Sequence, residues 1–418
     1  MASMPSMAPA APPAAGPPAN AAWYDKLSAD AFVDAYGSIN WNFPKPQIAN
    51  PSTSPLGSLS GPPGGGNTFH AFDVAQGFAL NWIGVNASYT SDTIGGTIGL
   101  RIGPSSPIYN SGTENLAFLS YVKQAYATWK AADKLTLDFG KFDQPFGSEV
   151  ADSQLNMNYG RSVLFWYVQP LFFTGLRATI PVADQFSLLA FAANGWNNSV
   201  DNNRGKSFGL QAMIKPADQL TMYIGYVTGP EQNDFGTTTV GTGATATTVS
   251  GDVPDANGLS NWRHMVDFVA DINPTKELRF LLNADWRSED NMPVTTAMPF
   301  AHHAVGYGAN LVARYSFSDA FYGSLRGEFF HDEHGDLLGV APFVLPATPP
   351  ATPPSSVNIE DVTLTLAYGI GNHLALMLDN RLDVADSPYF LSGSGAGGAS
   401  ALGKSQFTTT LGVIASTK

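Results

Sequence analysis

Stretch after stretch of this chain alternates apolar and polar residues with a period of two, and nothing in the sequence supplies a second layer to cover the apolar faces. Between Ala29 and Asn42, Val33, Ala35, Gly37, Ile39 and Trp41 hold one parity, while Phe32, Asp34, Tyr36, Ser38, Asn40 and Asn42 hold the other. Side chains of a strand point alternately to its two faces, so such a run is a strand with one greasy and one mostly wet surface. The pattern returns with Ile94, Gly96, Ile98, Leu100 and Ile102, with Phe208, Leu210, Ala212 and Ile214, with Leu278, Phe280, Leu282, Ala284 and Trp286, and with Leu374, Leu376 and Leu378.

Tight turns launch these strands. Ala132-Asp133-Lys134-Leu135, Ala183-Asp184-Gln185-Phe186 and Ala217-Asp218-Gln219-Leu220 are near copies. Asn273-Pro274-Thr275-Lys276, Ser318-Asp319-Ala320 and Gly371-Asn372-His373 take equivalent places with turn-favouring residues. Each pair of turns encloses a strand, a longer loop and a returning strand. The count is about sixteen strands, with long connections near 43–73, 104–117, 143–165, 194–206, 229–261, 288–303, 331–357 and 385–404, all at one end.

A β-sandwich would not separate short turns from long loops so regularly. In hydrocarbon every backbone amide must be paired internally, which a closed sheet achieves because it has no edge, and lipid then covers the apolar face. The expected fold is therefore all-β: a transmembrane antiparallel up-and-down barrel of about sixteen strands, with long extracellular loops and short periplasmic turns. Residues 1–28, Pro/Ala-rich from Pro5 to Asn20, read as a flexible periplasmic segment, and 29–418 as the barrel.

Composition agrees. Charged residues make up 13% of the chain, half the roughly 25% of soluble domains. The longest purely apolar runs, such as Val163–Val168 and Leu188–Ala193, span six residues, far from the ~18 that a transmembrane helix needs. There is no cysteine, which excludes disulfides and thiolate sites, and the net charge of −13 argues against nucleic acid as a partner. The N-terminus, with Pro5 and no Lys or Arg before Lys26, shows no secretory leader and reads as a mature chain behind an added Met.

Aromatic placement gives an independent indication. On the apolar parity, Trp41, Tyr226, Trp262, Trp286 and Tyr307 fall beside long loops, and Trp129, Tyr315 and Tyr368 beside short turns. Two such bands are the girdles expected at the two bilayer interfaces.

A barrel of this size can hold a water channel. The polar parity lines it with acids, among them Asp138, Asp267, Asp285, Glu328 and Asp379, and with a similar number of bases. The third long connection, 143–165, carries Pro145-Phe146-Gly147 and the acids Glu149 and Asp152. It is the candidate constriction, with Arg101, Arg177, Arg279, Arg287 and Arg326 opposing those acids to set a transverse field. The competing readings are that the loop covers the outer mouth or contacts a neighbouring subunit, and that the charges are paired ladders holding the wall.

Residues 123–215 carry Lys123-Gln124-Ala125-Tyr126, Leu135 to Phe142, Pro145-Phe146-Gly147-Ser148-Glu149, Asn158-Tyr159-Gly160-Arg161-Ser162, Thr174-Gly175-Leu176-Arg177-Ala178 and Asn194-Gly195-Trp196-Asn197. In these segments, about a quarter of the chain, it resembles the putative β-barrel porin-2 (OmpL-like) family of bacterial outer-membrane porins. The resemblance implies an outer-membrane porin, a homotrimer among lipid and lipopolysaccharide, and no particular solute. The chain departs from bacterial barrels in ending Ser416-Thr417-Lys418 rather than on an aromatic.

Other motifs carry little chemistry. His331 and His334, with Asp332, Glu333 and Asp336, form a weak metal candidate in an acidic loop. Gly61-Pro62-Pro63-Gly64-Gly65-Gly66 has no following Lys and Ser/Thr, so no cofactor is read. The expected function is passive diffusion of ions and small hydrophilic solutes with weak selectivity and no enzymatic activity. The alternatives are a barrel hydrolase and an adhesin or structural barrel.

Overall fold

The computed structural model describes residues 23–44, 66–110, 118–232, 235–240, 247–252, 261–292, 302–335, 337–338, 356–393 and 401–417. A single 3-10 turn, Trp23–Lys26, leads into β1 (Leu27–Asn40), followed by β2 (Gly77–Thr90), β3 (Ile94–Ile102), β4 (Val122–Ala132), β5 (Leu135–Asp143), β6 (Phe172–Ala183), β7 (Phe186–Ala193), β8 (Ser207–Ala217) and β9 (Leu220–Pro230). Then come β10 (Phe235–Val240), β11 (Thr247–Asp252), β12 (Trp262–Ile272), β13 (Leu278–Met292), β14 (His302–Ser316), β15 (Phe321–Asp332), β16 (Val357–Ile370), β17 (Leu374–Ala385), β18 (Phe390–Ser392), β19 (Ala401–Gly403) and β20 (Ser405–Ser416).

Sixteen of these strands close into one barrel in the order β1 to β9, β12 to β17 and β20. Closure is the antiparallel pairing of β1 with β20, from Phe32 opposite Ser416 to Asn40 opposite Thr408. The remaining strands form two small ribbons, β10 with β11 and β18 with β19, inside long connections that the sequence pattern reads as plain loops. Among the described residues no helix is long and apolar enough to cross a membrane; the crossing is made by strands.

The period-two pattern has its expected consequence. Phe139 is 69% exposed and Leu325 50% on the outer surface, whereas Asp34 and Arg326 on the inner parity are fully buried. Exposed apolar side chains all round a barrel are stable only against lipid. All the expected girdle aromatics point outward, Trp262 half-buried and the others exposed.

The interior is not an empty tube. Inward-folded connections pack against the wall in apolar clusters. One contains Phe142, Phe146, Phe173 and Phe191 with Val163, Leu164 and Phe330, another Phe32, Tyr36, Phe72, Trp82, Tyr109 and Tyr159.

Candidate functional site

The third long connection runs from the end of β5 at Asp143 to the start of β6 at Phe172, longer than the 143–165 expected. The extension arises because the apolar run does not enter the next strand. Val163–Tyr167 instead forms a single helical turn, capped where Ser162 Oγ accepts from the Phe165 amide at 3.1 Å.

This loop lies inside the barrel and bonds to the wall along most of its length. At its entry the Gly147 amide donates to Asp267 Oδ1 (2.9 Å) and the Ser148 amide to Asn283 Oδ1 (3.1 Å). Glu149 pairs with Arg326 Nη1 at 3.0 Å, and Asp152 takes both arms of Arg101, Nε and Nη2, at 2.8 Å each. Ser153 Oγ and Tyr159 OH donate to the two oxygens of Asp34, each at 2.7 Å. Asn158 Nδ2 donates to Thr365 Oγ1 (2.6 Å) and the Gly160 amide to Asp379 Oδ2 (2.8 Å). The Val163 and Leu164 amides donate to Glu328, and Gln169 Nε2 donates to Asn283 and Asp285. Arg161 gathers the loop from within, donating to the carbonyls of Val150, Ala151 and Tyr159.

These anchors lie on widely separated strands. Between Arg326 on β15 and Arg101 on β3 stand five others, β16, β17, β20, β1 and β2. Yet their partners Glu149 and Asp152 are three residues apart, a span of at most about 10 Å. The loop therefore bridges the bore instead of following one side of it. This changes the expected geometry: Glu149 and Asp152 sit directly on Arg326 and Arg101, not across a gap from them. The other expected arginines are also paired. Arg177 binds Asp138 at 2.7 Å, Arg279 binds Asp271 at 2.8 Å, and Arg287 binds Glu289 at 3.2 Å and donates to the Tyr167 carbonyl.

The inward acids have a similar fate. Asp267, Asp285, Glu328 and Asp379 are buried acceptors for loop amides rather than water-facing charges. Asp267 and Asp285 are direct cross-strand partners. Asp138 stays with its arginine and with Thr128.

A chain of charges carries on from the loop. Arg326 Nε meets Asp361 at 3.0 Å, Arg381 meets both Asp361 and Asp383 at 2.6 Å, and Asp383 lies 3.7 Å from His70 Nε2. His70 belongs to the first long connection and binds Asp73 through Nδ1 at 2.7 Å. Burial disfavours the charged imidazole, but the Asp73 and Asp383 carboxylates outweigh it and raise the His70 pKa. Burial likewise opposes Asp73, and His70 and Arg381 overcome this to bring it to about 2. In the third loop, burial alone would raise Asp152, but Lys123 and Arg101 hold its carboxyl well below the usual range.

Water still reaches one arc of the inner wall. Asn86, Thr97, Gln124, Thr128, Lys130, Thr136 and Thr179, on β2 to β6, are half-exposed, and Asp143 beside them is also open. The neighbouring arc of β15, β16, β17 and β20, with Arg326, Asp361, Thr365, Arg381 and Thr408, is dry beneath the loops.

Of the weak metal candidate, Asp336 lies outside the described residues. His331 sits on the outward parity of β15, its ring 4.9 Å from that of Tyr307 and its Nδ1 2.7 Å from Asn358 Oδ1. His334 lies beyond the strand end, and the described residues contain no group of three or more His, Asp or Glu placed to hold a metal. Arg161, Arg381 and Asp361 were not among the candidate site residues. Arg161 did stand in a segment carrying the family resemblance, and Phe146, Gly147, Glu149, Asn158, Tyr159 and Gly160 from those segments are all loop anchors.

A family model for putative beta-barrel porin-2, OmpL-like proteins matches residues 26–416. No curated protein matches the sequence. Among solved structures the chain is similar to in-vitro folded OmpT of Vibrio cholerae in its trimer form, with a TM-score of 0.54 and 11% identity over 93% of this chain and 98% of that one. It is similar to the outer membrane channel DcaP of Acinetobacter baumannii, at 0.52 and 12% over 93% and 96%. An anion-selective porin from Comamonas acidovorans gives 0.51 and 11% over 93% and 99%. At such identities the likeness is one of fold.

Proposed function

Because the chain belongs to the putative beta-barrel porin-2, OmpL-like family and is thus a porin of the bacterial outer membrane, we propose that it passes ions and small hydrophilic solutes by passive diffusion along the wetted arc of β2 to β6, with weak selectivity. The observation that carries this is the division of the inner wall into a dry arc, sealed by the third loop, and a half-exposed polar arc beside it. A path confined to that arc at the level of the third loop is narrower than an open sixteen-strand bore, so conductance is smaller than strand number alone suggests. Paired charges along the wall leave little net field, which favours weak selectivity. Planar-bilayer recording tests this: small ohmic steps support it, and a purified, folded barrel that never conducts overturns it.

The same reading extends to a homotrimer set among lipid and lipopolysaccharide. In support, a shallow outer groove lined by Ala87, Gly96, Ile98, Ala125, Ala127 and Phe139 offers an apolar surface of mostly small residues for a second copy. Mass measurement of the detergent-extracted protein tests it, and a monomer there would count against it.

A further inference from the structure

Arg279 on β13 and Arg314 on β14 are direct cross-strand partners on the inner face. Like charges so placed destabilise a strand pair unless something compensates. The carboxylate of Asp271 answers only one of the two. Asp271 accepts from Arg279 Nε at 2.8 Å and Nη2 at 2.9 Å, and also from Asn273 Nδ2 at 2.9 Å, which leaves it little capacity. Arg314 has no ion pair or hydrogen-bond partner among the described residues, and its Nε is buried with no acceptor. Its guanidinium lies over the Tyr322 ring, 4.0 Å from the centroid, and Tyr322 is itself buried, so the cation is held in place by a group that does not neutralise it. Arg314 as a whole is only half-buried, which leaves part of it facing lumen water.

Height in the barrel gives this pair its meaning. Arg314 is two residues from the end of β14 at Ser316, and Arg279 one residue from the start of β13, both beside short turns. Lys130 and Lys215 face inward near other short turns, Lys130 on the Ser91 carbonyl at 2.9 Å and Lys215 on Asp218 at 3.2 Å. The acid-rich layer of Asp267, Asp285, Glu328 and Asp379 lies deeper, against the third loop.

We propose that Arg314, with Arg279 beside it, is an oxyanion-binding step at the periplasmic end of the lumen, taking small phosphates or carboxylates. A guanidinium presents a planar fork matched to such groups, and here it is pre-positioned on an aromatic face with its charge unspent. The inference rests on the porin reading and names a solute class that it favours.

The test titrates inorganic phosphate, and in parallel succinate, into refolded full-length protein, reading phosphate by 31P line width and both by calorimetry, for the natural protein, R314Q and R314K. The expected result is saturable binding weakened about tenfold in R314Q, the loss of one charge-assisted contact, with R314K between the two. Equal affinity in the natural protein and R314Q, or no saturable binding in the natural protein, overturns the proposal. Binding of only one of the two anions assigns the class to that anion. Bilayer reversal potentials on the same samples shift toward cations in R314Q. Absence of any conductance would sink the porin reading while the titrations still decide this site.

Discussion

Asp152 accepts both arms of the Arg101 guanidinium at 2.8 Å while Lys123 stands 3.4 Å from the same carboxylate, so one loop acid holds two buried wall cations. Removing one member of a buried pair leaves an uncompensated charge, a cost of about 3 to 5 kcal/mol. Asp152→Asn is therefore expected to unseat the middle of the third loop without unfolding the barrel, whose strands are paired all round. Hydrogen exchange of residues 144–162 would rise sharply in the variant while exchange in the strands stays as before; unchanged loop exchange would contradict the seat described here.

The same carboxylate sets a pH dependence. Its folded pKa is depressed, so its contribution is complete above the ordinary aspartate range and is lost only as pH falls through that lowered value. Loop protection factors, exchange corrected for its intrinsic pH dependence, should therefore stay flat from neutral pH down to the ordinary aspartate value. Loosening of the Asp152 contact already near pH 5 would run against this assignment.

His70 has the opposite sign. Its folded pKa is raised, so its contribution is whole below the ordinary histidine value of 6.5 and fades as pH climbs through the raised one. Facing it are Asp73 from its own loop and Asp383 and Arg381 from β17. Segment 66–76 should become more accessible to protease under alkaline conditions, and His70→Gln should show that accessibility already at pH 6. A segment equally protected at pH 6 and pH 9 would refute the clamp.

Gly147 has φ of +76°, and a Cβ there would lie 2.1 Å from Gln169 Oε1. Gly147→Ala adds left-handed strain of roughly 1 to 2 kcal/mol and pushes Gln169 off Asn283 and Asp285, so both stems of the loop loosen together. The prediction is greater exchange at 145–149 and at 167–170 in the same variant; loosening of one stem alone would disprove the coupling.

The wall was legible in the sequence because lipid imposes the alternation directly. Trp286 and Tyr307 could be placed facing lipid from parity alone, and they are direct partners on β13 and β14. Pairings inside the lumen were not legible. Glu149 meets Arg326 across 177 positions and Asp152 meets Arg101 across 51, contacts created by barrel closure and by a loop that crosses the bore. No periodicity reveals that a Pro/Gly/Ser-rich connection turns inward, so His70 and Asp73 gave no signal. The helical turn Val163–Tyr167 gave no signal because a single turn is too short to show a period of its own.

Single-channel recording of the natural protein beside the double variant Glu149→Gln, Asp152→Asn addresses the bridging loop most directly. The bridge predicts small, ohmic steps in the natural protein and clearly larger or noisier ones once the loop loses both wall cations. Identical conductance in the two proteins, or steps in the natural protein as large as an unobstructed sixteen-strand bore would give, would contradict it.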